Sequence, residues 1–92
     1  MNIYHVSQNH NNEYDTYSDF VVIAPDKKTA KRTYPDQSLK RIWIENKGWH
    51  HDNGVKCDAS AWVNDLKYIK VRLIGKANSE KLEVVCSSFN AG

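Results

Sequence analysis

The run Phe20-Val21-Val22-Ile23-Ala24, closed by Pro25-Asp26, limits the fold more than any other stretch of the chain. Five apolar residues rich in β-branching, with no polar alternation, suit a central strand with both faces at least partly covered. Pro25 cannot donate to a strand ladder and so ends it. Asp26 can cap a helix, because its carboxylate accepts an otherwise orphaned backbone N–H. The sequence predicts a helix over Lys27 to Tyr34, ended by Pro35, with Ala30, Thr33 and Tyr34 toward the sheet. Lys27, Lys28, Lys31 and Arg32 then form a basic solvent-facing side. A helix this short is held by packing rather than by its own propensity.

Residues 2–7 read as a strand, with Ile3, His5 and Ser7 on one face and Tyr4 and Val6 on the other. Between this strand and the central one lies an eleven-residue polar loop, Gln8 to Ser18, containing Tyr14-Asp15-Thr16-Tyr17. Most connections in compact domains run to about 4–6 residues, so a loop this long, carrying two phenols, points to a use. Toward the C-terminus, Lys67 to Lys76 alternates, with Ile69, Val71 and Leu73 opposite Lys70 and Arg72. The turn residues Ala77 to Glu80 and the run Leu82 to Phe89 complete a predicted hairpin. The middle is less regular. Ile42-Trp43-Ile44 with the turn Asn46-Lys47-Gly48 allows a hairpin within 41–58, and an irregular excursion is the alternative.

Together these readings predict one domain over 1–92, of α+β class. It would be a mainly antiparallel sheet of about four strands with one short helix packed on one face. Thirteen basic and eleven acidic residues leave a net charge of +2, too balanced to announce a nucleic-acid partner. No stretch approaches the roughly 20 apolar residues of a membrane-spanning helix, and the N-terminus lacks a signal-peptide pattern, so a cytoplasmic location is expected. In that compartment Cys57 and Cys86 are expected to be free thiols.

Metal binding would have to draw on His50, His51, Asp52, Cys57 and Asp58. Adjacent histidines in extended chain diverge, and no Cys-x-x-Cys pair is present, so no metal or cofactor is expected. Neither a glycine-rich phosphate loop nor a nucleophile elbow appears, and the chain is expected not to be an enzyme. Tyr and Trp are the residues of interface hot spots. Tyr14, Asp15 and Tyr17 in the first loop, and Trp43 and Trp49 in the middle excursion, are therefore read as partner contacts on a projecting wedge. Lys27, Lys28, Lys31 and Arg32 would attract an acidic partner. The same cations, with Lys40, Arg41 and Lys47 around the two tryptophans, also support a second reading, single-stranded nucleic-acid binding. Self-association through an exposed strand edge is a third.

Several segments resemble a group of small, functionally uncharacterised proteins of bacteriophages and prophages. They are Ser7-Gln8, Tyr14-Asp15-Thr16-Tyr17, Val21-Val22-Ile23-Ala24 with the following helix, Ile74-Gly75-Lys76-Ala77, and Ser88-Phe89-Asn90-Ala91-Gly92. The stretch Gln37 to Ala59 is longer and more basic than that pattern. The resemblance implies a phage origin. By analogy it implies a role in binding and inhibiting a host protein, including one of a defence complex that processes nucleic acid.

Overall fold

The computed structural model describes residues 1–10, 15–57 and 61–90. It has the α+β architecture expected: a four-stranded antiparallel sheet, a two-stranded sheet and one short helix. Strands β1 (Asn2–Gln8) and β2 (Thr16–Ala24) pair in the middle of the larger sheet, from Asn2 opposite Ala24 to Ser7 opposite Asp19. Strand β5 (Ile69–Lys76) lies outside β1, and β6 (Glu83–Asn90) lies outside β2. Between β2 and β5 in sequence come helix α1 (Lys27–Lys31) and the hairpin β3 (Arg41–Ile44) and β4 (Gly48–His51).

The predicted hairpin between Lys67–Lys76 and Leu82–Phe89 is corrected. β5 and β6 occupy opposite edges of the sheet and pair with β1 and β2, not with each other. Residues 77–82 carry the chain across the end of the sheet instead. There Ala77 N–H donates to Met1 O at 2.9 Å, and the Met1 ammonium donates to Ser79 O at 3.3 Å. Alternation identifies a strand but not its neighbour. The most apolar strand takes a central place, where both of its edges are hydrogen bonded.

The side chains of Tyr4, Val6, Phe20, Val22, Ala24 and Ile69 are buried on one face of the large sheet. Packed with them are Ala30, Tyr34, Trp49, Cys57, Trp62 and Val63. Phe20 meets Trp62 edge to face at 5.3 Å, which fixes the 61–63 segment over β2. Helix α1 is shorter than predicted. Asp26 does cap it, its carboxylate accepting from Thr29 N–H at 2.7 Å, but regular helix stops at Lys31. Arg32 N–H donates to Thr29 O and Thr33 N–H to Ala30 O, a tightened last turn that still delivers Tyr34 to the core.

The middle of the chain resolves as a hairpin followed by a return. Lys47 N–H donates to Ile44 O at 3.0 Å, and the turn uses left-handed Asn46 (φ 64) and Gly48 (φ 88). Trp43 then stands opposite Trp49, so both indoles share one side of the hairpin. A second turn brings the chain back alongside β4, with His51 N–H donating to Val55 O at 2.8 Å and Cys57 N–H to Trp49 O at 3.3 Å. Gly54 sits in it at φ 89 with open space where a Cβ would go. Gly54→Ala should therefore cost about 1–2 kcal/mol through backbone strain alone. In urea unfolding the midpoint should fall while the slope stays constant.

Candidate partner-binding groove

A groove of about 710 Å³ opens between α1 and β3. Lys28 lies on α1 and Arg32 is the residue that caps its C-terminal end, and both line the groove. The 3₁₀ turn Gln37–Leu39 follows, with Asp36 Oδ1 capping it by accepting from Ser38 N–H. Lys40 then takes a left-handed conformation (φ 51), costly for a residue with a side chain, and redirects the chain into β3. That turn sets Lys40 and Arg41 beside the helix cations. Asp52 is the only carboxylate in the lining among the described residues. Tyr34, Ile42, Trp43 and Leu82 make the apolar part, Leu82 arriving from the crossing segment that precedes β6.

Arg41 is held at this site by aromatic contacts. Its Nη1 donates to the Tyr34 hydroxyl at 2.5 Å, and its guanidinium carbon lies 4.8 Å from the Tyr34 ring centre. Burial pushes the Tyr34 phenol above its ordinary pKa, against the opposing pull of Arg41. The Arg41 Nε is buried and has no acceptor among the described residues. A buried N–H left without a partner costs about 1–3 kcal/mol. Arg32 Nε donates to Glu45 at the β3–β4 turn, and Arg32 Nη1 donates to Lys28 O at 3.1 Å.

Of the residues expected to contact a partner, the groove gathers Lys28, Arg32 and Trp43. Lys27 and Lys31 fall outside its lining. Trp49 is corrected. It is 1% exposed, meets Tyr34 and Trp43 edge to face at 5.1 and 5.2 Å, and donates from Nε1 to Val63 O at 2.9 Å. Trp43, on the same side of the hairpin, is half-buried against that core. The hairpin part of the aromatic wedge is therefore corrected as well: the hairpin turns its indoles inward.

Tyr17 also packs against the core. Ser18 is an extra residue opposite β6, a bulge that re-aims the residue before it. Burial, then the neighbouring Asp36 carboxylate, raises the Tyr17 phenol pKa. Asp15 is exposed at φ 61, at the entry to β2. Tyr14 lies outside the described residues. Tyr34, Ile42 and Leu82 were missed as site residues. Tyr34 carried a signal, helical spacing from Ala30, but that signal points equally to core. Leu82 carried none, because its place depends on the crossing connection.

On the other side of Trp43 a cleft of about 850 Å³ runs beside Cys57 and Leu66. Lys47 and Lys56 there are matched by Glu45 and Asp65, so its charge favours neither sign. Among the described residues no group of three or more His, Cys, Asp or Glu is placed to hold a metal. His50 is buried, its Nδ1 donating to Gly48 O at 2.9 Å. Cys57 is buried, Cys86 is exposed on β6, and both are free thiols. No helix among the described residues is long and apolar enough to cross a membrane.

The opposite face of the large sheet carries a separate polar pair, His5 Nε2 and Asp19 Oδ2 at 2.8 Å. The His5 bond holds the Asp19 carboxyl below its ordinary pKa, assisted by Ser18 and opposed by burial. A depressed carboxylate contributes stability that is full above its unfolded pKa, near 4, and is lost as pH falls through the folded value. Thermal melts of the native protein and Asp19→Asn should therefore differ at neutral pH and converge in acid.

A scan against protein-family models, a search of curated proteins and a search of solved structures each found no match to this chain.

Proposed function

We propose that this chain is a non-enzymatic, phage-encoded binding protein that seats an acidic, apolar-centred surface of a host protein in the α1–β3 groove and so blocks it. The reading rests on one observation: among the described residues, four cations and a single carboxylate line a groove floored by aromatic side chains. Apolar contact supplies binding free energy, and the cations supply orientation and rate of encounter. The resemblance to phage proteins supports a host protein of a defence or gene-expression system as the target, met in the host cytoplasm. A protein suits the groove better than nucleic acid. Trp43 offers a half-buried ring rather than a free stacking face.

A nucleic-acid reading keeps one observation of its own. His10 stacks on the exposed Tyr68 at 3.7 Å and 6°, with Lys67 Nζ 5.0 Å from the Tyr68 ring, a small cationic platform of the kind bases stack on. Affinity capture from host lysate, with and without nuclease and across a salt series, separates the two. A discrete protein retained after nuclease, with modest salt dependence, supports the proposal. Recovery of only nuclease-sensitive material, lost steeply with salt, would overturn it in favour of nucleic acid.

A further inference from the structure

One cation of the groove is already paired with a carboxylate from outside its walls. Glu45 projects from the β3–β4 turn, which is far from α1 in sequence, and its Oε1 accepts from Arg32 Nε. Glu45 is 59% exposed while Arg32 is 28% exposed, so the acid is the solvent-facing partner of the pair. Arg32 is among the groove's four lining cations, whereas Glu45 lines the neighbouring cleft. The bond thus crosses the rim over Trp43, which lines both clefts.

Resting on the reading of the groove as a protein-binding site, we infer that Glu45 is an intramolecular stand-in for a carboxylate of the partner. The segment that docks carries an Asp or Glu beside an apolar side chain, and its carboxylate replaces Glu45 on Arg32. Three features support the exchange. A surface ion pair whose acid is 59% exposed contributes little net free energy and exchanges readily with competing carboxylates. Arg32 loses nothing electrostatically when one carboxylate replaces another. The apolar side chain then gains Ile42 and Leu82, which line the groove. Until a partner arrives, Glu45 lowers the net positive charge at the mouth, so the free groove discriminates against anions with no apolar anchor.

The direction of a mutational effect separates a stand-in from a structural strut. Glu45→Gln removes the competing charge and should tighten binding about two- to fivefold, whereas loss of a strut would weaken it. Asp52→Asn is the control, because it raises the net charge beside the groove by the same amount without freeing Arg32. The probe is a blocked peptide with one leucine between glutamates, alongside its glutamine counterpart. Binding is titrated by NMR on the native protein and both variants, following the Arg32 Nε–H and Trp43 indole resonances. The inference expects the glutamate peptide alone to shift both resonances, with Glu45→Gln gaining more than Asp52→Asn. Equal gains in the two variants would overturn it, as general electrostatics, and weaker binding by Glu45→Gln would overturn it as a strut. If neither peptide binds while a captured host protein still depends on Lys28 and Lys40, the stand-in is overturned and the groove reading survives. If capture ignores those lysines, both fall.

Discussion

Replacing Trp49 by alanine is expected to destabilise the protein by about 3–5 kcal/mol, the range for deleting a large aromatic from a close-packed interior. The indole is 1% exposed and joins three parts of the second layer: Tyr34 after the helix, Trp43 across the hairpin and the Val63 carbonyl. Truncation leaves a void among them and strips that carbonyl of its donor, so two penalties act together. For a domain of this length 1 kcal/mol moves Tm by roughly 4–8 °C, and the melt should therefore fall by more than about 12 °C. Trp49→Phe should recover part of the loss by refilling the void, but not the bond to Val63. Calorimetry of the three proteins measures this. A Trp49→Ala variant that melts like the parent would mean the ring stands in solvent, as the hairpin reading of residues 41–58 does not allow.

Reversing two groove charges, Lys28→Glu with Lys40→Glu, should weaken binding of the host protein about 10- to 100-fold while leaving the fold intact. Both side chains are exposed, on α1 and at the turn into β3. Each reversal replaces attraction by repulsion for an acidic surface and slows encounter as well as shortening the lifetime of the complex. Substitutions at the exposed surface normally change stability by less than about 0.5 kcal/mol. Thermal melts should thus coincide while surface plasmon resonance against the captured protein shows the loss. The same two reversals made at Lys27 and Lys31, which lie outside the groove lining, should cost far less. Equal losses from both pairs would assign the effect to net charge rather than to the groove.

The parts of this fold written in local pattern were legible, and those settled by pairing were not. Strand β2 follows from an unbroken apolar run, the alternation of Ile69, Val71 and Leu73 marks β5, and Asp26 announces its own helix. Which strands are neighbours depends on what each leaves uncovered, and the turn signal at 77–80 suits a crossing segment as well as a hairpin. Parity was lost at single residues. The extra residue Ser18 re-aims Tyr17, and Val85 in β6 and Ile74 in β5 are likewise additional to their partners' register. For the site, the helix spacing placed Lys28 and Arg32 together, and the groove indeed takes both. The inward turn of Trp49 was hidden because it needs the hairpin register, set by left-handed Asn46 and Gly48. Tyr34 and Leu82 reach the groove only through tertiary structure, one from the end of the helix and one from the crossing segment.

The groove itself is tested most directly by where the partner touches. A photo-crosslinking amino acid placed at Ile42, in the groove, and separately at Leu73, on the β5 edge, samples two exposed apolar positions. Illumination in host lysate treated with nuclease should give one protein adduct from position 42 and none from position 73. An adduct from position 73 alone would contradict the account, because the partner would then seat on the sheet edge and not between α1 and β3.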